Sequence, residues 1–259
     1  MTPRLAARWR LAAALALATP LASCASGGFN WGWHVVSPWT AQGKNNLGFL
    51  LEGYRWTITA SLCAMALSIV LGLVVALLGM ARWKPARVVA RGYVELLRSV
   101  PILVMILWVF YGLPIVLGIR LDTFTAAVLA IAICDGAFEA EIFRGGIQSI
   151  EKGQHEAADS LGLSWARKMR FVILPQAIRR ILPPLGNQFV YVVKMSSLAS
   201  VIGLTELTRK AGELVVTVFR PLEIYTVLIA EYLVLVVVIS WLVRRMERRL
   251  GSDERFGRR

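Results

Sequence analysis

Long apolar runs alternate with short polar, mostly basic, segments along this chain. From residue 56 to residue 81 no charge interrupts the sequence, and at about 1.5 Å rise per residue such a helix crosses a hydrocarbon core about 30 Å thick. In the second run, Pro101 predicts a kink and not a stop. The pattern predicts an all-α membrane protein with about five transmembrane helices. These spans cover residues 56–81, 88–116, 123–143, 180–203 and 222–243.

The composition agrees with a membrane protein and limits the kinds of partner that the chain is expected to bind. Hydrophobic residues make up 57% of the chain and charged residues 17%, which is too apolar for a soluble domain of this length. There are 29 Lys and Arg against 16 Asp and Glu, but the cations lie between apolar runs and do not form one soluble basic face. We therefore expect contact with lipid headgroups and no nucleic acid. The three cysteines provide no disulfide framework or metal cluster.

The first 26 residues have the pattern of a signal peptide or a short hydrophobic N-terminal segment. Three arginines precede an Ala/Leu run that is too short to span comfortably. Residues 21–24 also match a bacterial lipoprotein cleavage box, which would leave Cys24 lipidated, and both readings stay open. An extracytoplasmic segment, 27–52, and a permease domain, 53–250, are expected to follow, with a basic cytoplasmic tail at 251–259.

The distribution of Lys and Arg between the loops predicts the orientation of the spans. Cytoplasmic loops carry an excess of these residues, and eighteen of them fall on one face against six on the other. We therefore expect an extracytoplasmic N-terminus, after the signal-like segment, and a cytoplasmic C-terminus in a bacterial inner membrane. The larger set comprises four cations after span one, seven between spans three and four, and seven after residue 243.

The loop between spans three and four, residues 149–175, has a strong internal pattern. We expect a short helix from 149 to 161, ended by Gly162 because glycine accepts a left-handed backbone conformation. Ser164 is then placed to cap a second short helix through Phe171, which Pro175 would close. Two short helices at a fixed angle, anchored to spans at both ends, are suited to transmitting a rigid-body movement.

These residues resemble a known motif. Glu156, Ala157 and Ala158, then Gly162, then Ile173, Leu174 and Pro175, look like the EAA loop of ABC importer permeases. The resemblance covers about residues 50–250 and is closest to polar amino acid permeases of type I architecture. It extends to Tyr93, Glu95, Arg98 and Pro101 in span two, to the Glu-Ile-Phe-Arg-Gly-Gly-Ile-Gln run at 141–148, and to 185–188 and 197–203.

The resemblance implies a set of partners and a division of labour. In such importers the loop inserts into a P-loop ATPase subunit, a second permease chain completes a homo- or heterodimer, and an extracytoplasmic solute-binding protein delivers the ligand. The ATPase would use ATP and Mg²⁺, since this chain has no phosphate-binding Gly-Lys-Ser/Thr segment. We expect no cofactor, metal site or catalytic residue here. The alternative is an ion-coupled carrier that works without an ATPase.

Ionisable side chains at membrane depth are candidates for the translocation path, because burying them there is costly. Asp135 cannot snorkel far, and with Glu95 and Glu139 it would suit an amino acid's ammonium group. Lys194 equally fits a helix-packing role. Many family members place Asp or Asn after this lysine, whereas Met195 stands here. The candidates are Glu95, Asp135, Glu139, Lys194, Ser196 and Ser197.

Overall fold

The computed structural model describes residues 30–250, and every regular element in that part of the chain is helical. The all-α prediction is therefore confirmed for these residues. The expectations for residues 1–26, with Cys24, and for the tail at 251–259 lie outside the described residues. The α-helices are α1 (Ala41–Leu51), α2 (Gly53–Met80), α3 (Lys84–Ser99), α4 (Ile102–Leu107), α5 (Leu113–Leu117), α6 (Thr123–Gln148), α7 (Lys152–Ser160), α8 (Trp165–Lys168), α9 (Leu174–Met195), α10 (Leu207–Val218) and α11 (Pro221–Leu250).

In the part of the chain that the structure describes, two helical stretches are long and apolar enough to cross a membrane, by length and composition. They are Ala41–Met80, which comprises α1 and α2, and Pro221–Arg248 in α11. The number rises to four if each of two bent pairs is one span. These regions overlap four of the five predicted spans. The fifth, 123–143, corresponds to α6, whose 26 residues pack against α2, α3, α4 and α9. The bent pairs are Lys84–Ser99 with Ile102–Leu117, and Trp165–Ile202 with Leu207–Val218.

The second predicted span is broken, so the expectation of a simple kink at Pro101 is wrong. Helix α3 ends at Ser99, and the direction of the chain changes by 103° before it continues as α4. Proline disfavours the helical conformation of the residue before it, and Val100 has the extended angles φ −88° and ψ 127°. Pro101 is extended as well, at ψ 130°. Two consecutive extended residues end the helix instead of bending it.

Small residues let α2 and α6 approach each other closely. A Cβ added to Gly72 of α2 would lie 2.7 Å from Cβ of Glu139, and one added to Gly136 of α6 would lie 3.2 Å from Cβ of Leu71. Such close approach is how small residues drive helix association in membranes. The rings of Trp56 and Phe124 also contact each other, near the first residues of the same two helices. Because the starts of the helices meet each other and their later parts do too, the two helices run parallel. They end together at Met80 and Gln148, at what we call the loop end of the bundle.

At the opposite end, the first described residues are fixed to the start of α11. The backbone N–H of Gly32 donates a hydrogen bond of 2.6 Å to Oε1 of Glu223, and Arg220 donates to the carbonyl of Asn30. Val35 and Val36 are buried in a second apolar core with residues of α10 and α11. This end is thus packed independently of the main core around α6.

Candidate functional site

The turn after α7 is built as the sequence predicts. Gly162 has φ +68°, its N–H donates to the carbonyl of Asp159 at 2.9 Å, and the N–H of Leu163 donates to the carbonyl of Ala158 at 3.1 Å. These two bonds define a Schellman motif, the commonest way for a helix to end on a left-handed glycine. The prediction that Gly162 ends this helix is confirmed.

Other details of the loop differ from the expectation. The helix begins at Lys152 and not at 149, and Ser164 occupies the N-cap position of α8 without a side-chain capping bond. Pro175 does not close α8. A π-helical turn, Met169–Ile173, joins α8 directly to α9, and Pro175 lies in the first turn of α9, where its missing N–H is tolerated. Helical structure is therefore continuous over Trp165–Ile202.

Polar bonds brace the loop against itself and against α9. Lys168 of α8 pairs with Asp159 of α7 at 2.7 Å, and Gln176 of α9 donates to Gln154 of α7 at 3.1 Å. Arg180 of α9 donates to the carbonyl of Ser149. We call residues 152–171, braced in this way, the loop unit.

The loop unit presents an apolar surface outward. Leu161 is 78% exposed, Trp165 73% and Phe171 66%. Within the Glu-Ala-Ala sequence, Glu156 and Ala157 are exposed, whereas Ala158 is 2% exposed. Large apolar side chains exposed on an element that is braced by polar bonds are typical of a protein-binding surface. The other two residues of the predicted loop motif, Leu174 and Pro175, are also exposed.

A second feature is a cavity of about 270 Å³ at the break between α3 and α4. We call it the Asp135 cavity. Asp135 is 2% exposed, its Oδ1 accepts a 2.5 Å hydrogen bond from Nε2 of Gln188, and its Oδ2 has no hydrogen-bond partner among the described residues. A buried carboxylate oxygen without a donor is costly and marks a place where a ligand's donor would fit. The cavity is lined in part by Arg98, Pro101, Asp135, Phe138, Tyr191 and Met195.

The six predicted path residues do not converge. Asp135 and Glu139 share one face of α6, and Glu139 is fully buried with neither carboxylate oxygen hydrogen-bonded in the described part of the chain. Glu95 lines a different cavity at the loop end. Lys194 and Ser197 line an open groove between α9 and α11. Ser196 is buried and donates to the carbonyl of Val193, while Ser197 donates to that of Lys194.

Sequence reasoning did not assign several side chains to this site, although Arg98 and the stretch 185–188, which includes Gln188, belong to the family resemblance. Gln188 is the direct partner of Asp135, and the guanidinium of Arg98 lies 5.2 Å from the ring centre of Phe138. Tyr191 lies on the same helix as Gln188. An uncharged amide inside an apolar span is the signal that points to Gln188, since polar groups at membrane depth need partners.

Glu206 shows, by contrast, what a purely structural buried carboxylate looks like. It is fully buried and caps α10, accepting from the N–H groups of Thr208 at 2.9 Å and Arg209 at 2.8 Å. The hydroxyl of Tyr232 donates to it at 2.9 Å. Both oxygens are satisfied within the protein, unlike those of Asp135 and Glu139.

The sequence of this chain matches a known protein family over most of its length. Residues 68–252 fit the family of binding-protein-dependent transport system inner membrane components. The chain belongs to that family. Among curated relatives, it is 44% identical over 206 residues to the glutamine transport system permease protein GlnP of Escherichia coli (strain K12), covering 78% of this chain and 92% of the relative. It is 32% identical over 206 residues to the arginine transport system permease protein ArtQ of Bacillus subtilis (strain 168), covering 80% and 94%.

Solved structures agree with the family assignment. A crystal structure of an amino acid ABC transporter with histidines superposes with a TM-score of 0.76 at 40% identity, over 80% of this chain and 96% of that one. An inward-facing MetNI methionine ABC transporter superposes with a TM-score of 0.68 at 20% identity, over 80% and 98%, and shows the fold alone. This family member is thus a multi-pass membrane permease with the type I ABC importer fold.

Proposed function

We propose that this permease carries a polar amino acid into the cell, driven by a separate P-loop ATPase that binds the loop unit. The observation that carries the proposal is the outward apolar surface formed by Leu161, Trp165 and Phe171 on a braced element. Membership in a binding-protein-dependent family argues against the ion-coupled alternative. ATP and Mg²⁺ would be bound and used by the ATPase, not by this chain.

The continuous helix that begins at Trp165, within the loop unit, supports a mechanism for coupling the ATPase to the Asp135 cavity. Trp165 at its start is exposed to the proposed ATPase, while further along Gln188 donates to Asp135 and Tyr191 borders the Asp135 cavity. Closure of two ATPases on ATP would move the loop units as rigid bodies, and each movement would reach the cavity wall through this helix. Alternating access by domain movement is a known type of switching.

The chemistry of the Asp135 cavity supports an amino acid as the solute. Its free carboxylate oxygen fits an ammonium group, and Arg98 offers a guanidinium for a carboxylate. The curated relatives include glutamine and arginine permeases, and at 44% identity over 206 residues to the former, glutamine is the first solute to test. Glu139, one helical turn from Asp135, would tune the charge at the same place, and Glu95 would lie on the exit side.

Lys194 supports the presence of a second permease chain. It is exposed on the groove between α9 and α11, beside the apolar side chains of Ile229 and Leu233. A lysine at membrane depth is costly against lipid, so we propose that a second permease or the aqueous path covers this face. Ser196 and Ser197 are proposed to follow it into the path. A solute-binding protein would dock at the end opposite the loop.

The orientation of the chain in the membrane can be proposed from the same ATPase partner. An ATPase and its ATP are cytoplasmic, so the loop end is proposed to face the cytoplasm of a bacterial inner membrane. The end with Trp31 and Trp33 would then face outward, where tryptophans commonly sit at the membrane interface. Residues 53–250 would constitute the permease domain, with 27–52 outside and 251–259 in the cytoplasm.

Reconstitution of this permease with the proposed P-loop ATPase tests the exposed surface of the loop unit directly. Leu161→Asp places a charge in the proposed contact without disturbing the bundle, because Leu161 is exposed. We expect loss of co-purification with the ATPase and loss of ATP-dependent glutamine uptake in proteoliposomes. Glu213→Lys, a charge reversal near the other end, is the control for co-purification and is expected to retain it. Full uptake by Leu161→Asp would refute the assignment of the loop surface.

A further inference from the structure

A second cavity, of about 390 Å³, lies at the loop end between α2, α3 and α6. We call it the arginine cavity, because Arg91, Arg98 and Arg144 line it together with Glu95 and Glu141. Only Arg98 is shared with the Asp135 cavity. Apart from Arg98, and Glu95 at its wall, the transport proposal gives these side chains no task.

The charges in the arginine cavity do not balance. Arg144 and Glu141 pair at 2.6 Å, and Arg144 also donates to Gln148 at 2.9 Å, so these two neutralise each other. Arg91 and Arg98 remain against the single carboxylate of Glu95. Arg91 makes no ion pair with any residue of the described chain. One positive charge is therefore left over, and guanidinium groups are well matched to a phosphate or carboxylate.

The depth of the cavity matches the headgroup layer of a bilayer. Gly79, on its wall, is one residue from the end of α2, and Gln148 is the last residue of α6. The turn after α2 carries Arg82, Trp83 and Lys84, all exposed. Basic and tryptophan residues at helix ends are typical of the membrane interface, so the cavity opens at that level.

The surface beside the cavity is suited to acyl chains. On α3, Val88 is 68% exposed, Val89 67% and Leu96 62%, and this apolar face adjoins the basic face that carries Arg91 and Arg98. The cavity wall itself contains Val75 and Val94. A ligand with one oxyanion and adjoining hydrocarbon would satisfy both the charge and the apolar face.

We propose that the arginine cavity binds the phosphate of an anionic phospholipid from the leaflet at the loop end. The phosphodiester would accept hydrogen bonds from Arg91 and cancel the unbalanced charge, while the acyl chains would lie along the exposed valines and leucine of α3. Anionic lipids interact with basic pockets between membrane helices in this way. Lipid binding can be measured without transport, so the test of this site does not depend on the proposed function.

Native mass spectrometry of the full chain in nonionic detergent tests the site. We expect dioleoyl-phosphatidylglycerol to be retained about tenfold more tightly than dioleoyl-phosphatidylcholine, because both carry the phosphodiester but the choline cation of the second is repelled by the unbalanced arginine charge. Inorganic phosphate, titrated alone, distinguishes a lipid site from a site for the free anion. Displacement of phosphatidylglycerol by equimolar phosphate would overturn the lipid assignment, and equal retention of both lipids would do the same.

Three variants separate the cavity from general surface attraction. Arg91→Gln removes an exposed guanidinium that only this cavity uses and should lower retention of phosphatidylglycerol about tenfold. Gly79→Leu keeps every charge but occupies part of the cavity. Among the described residues, its Cβ would meet only Cβ of Ala90, at 3.7 Å. It should lower retention to a similar extent. Arg82→Gln removes a nearby exposed cation outside the cavity and should change nothing. Equal losses in Arg82→Gln and Arg91→Gln, or no loss in Arg91→Gln, would refute the site.

Discussion

Gln188 on α9 donates a hydrogen bond to Asp135 on α6, with 2.5 Å between Nε2 and Oδ1. The bond joins the helix that continues from the loop unit to the wall of the Asp135 cavity. It also holds one carboxylate oxygen while the other, Oδ2, has no partner among the described residues. Asp135 is thus oriented by the protein and keeps one oxygen without a donor among the described residues.

Removing the charge of Asp135 should impair transport without disturbing assembly. Asp135→Asn preserves the shape of the side chain but loses its affinity for an ammonium group, so we expect uptake to fall about tenfold or more, given about 1.5–3 kcal/mol for such a contact. Uptake of radiolabelled glutamine in proteoliposomes, together with co-purification of the ATPase, measures both quantities. Asp122→Asn is the matched control on the same helix, because asparagine remains a good N-cap. Wild-type uptake by Asp135→Asn would remove Asp135 from the path.

A side chain at Gly162 should strain the turn after α7. Nothing lies within 4 Å of a Cβ added there, so the cost comes only from the left-handed φ of +68° and should be about 1–2 kcal/mol for Gly162→Ala. Hydrogen exchange of the amides of Lys152–Ser160 should accelerate, and ATP-dependent uptake should fall.

Gly153→Ala provides the comparison within the same helix. Its added Cβ also meets nothing within 4 Å, but Gly153 is helical, so alanine should stabilise α7 by about 0.5–1 kcal/mol. Slower exchange in this variant beside faster exchange in Gly162→Ala would separate backbone conformation from steric bulk. The same exchange rate in both would contradict the argument.

Gly72→Ala should loosen the contact between α2 and α6. The added Cβ would lie 2.7 Å from Cβ of Glu139 and 3.0 Å from the backbone N of Ala140, so the helices must separate, at a cost of about 1–3 kcal/mol. Cys134 is buried, and its labelling by a maleimide on heating, in a Cys24→Ala, Cys63→Ala background, reports unfolding. The onset of labelling should shift to lower temperature. Gly92→Ala, at a helical position where no atom of the described residues lies within 4 Å of the added Cβ, should not lower it.

The N-cap of α6 should make stability depend on pH. The hydroxyl and the N–H of Thr125 donate to the Asp122 carboxylate, and these bonds hold the pKa of Asp122 below its ordinary value. A carboxyl whose pKa is lower in the folded state stabilises that state above its unfolded pKa, and this contribution is lost as the pH falls through the folded value. Asp122→Ala should therefore unfold at lower temperature than wild type at pH 7, with the difference shrinking below about pH 4. A constant difference down to pH 3 would show that the charge is irrelevant.

Local signals in the sequence predicted the features that depend on local structure. Gly162 requires only its own backbone angles, and the helices follow from uninterrupted apolar runs. Asp135 stood out because a short acidic side chain in such a run cannot reach water. These expectations needed no knowledge of how the helices pack.

Features that depend on tertiary contacts were harder to predict. Whether Pro101 bends or breaks a span depends on what satisfies the freed backbone groups, and here two extended residues beside a cavity replace the kink. The separation of Glu95, Lys194 and Asp135 into three places depends on the rotation of each helix about its own axis. Pro175 was misread because the π-helical turn before it lets α8 and α9 join.

The continuous helix over Trp165–Ile202 relates a tilt at the loop unit to a displacement at the Asp135 cavity. A straight α-helix from Trp165 to Tyr191 would extend about 39 Å at 1.5 Å per residue, so in the proposed coupling this helix would act as a lever arm. If it pivots near the loop, a tilt of about 5° displaces the far end by about 3 Å on that length, which is comparable with a hydrogen-bond distance. A small rocking of the loop unit would therefore suffice to make or break the contact between Gln188 and Asp135.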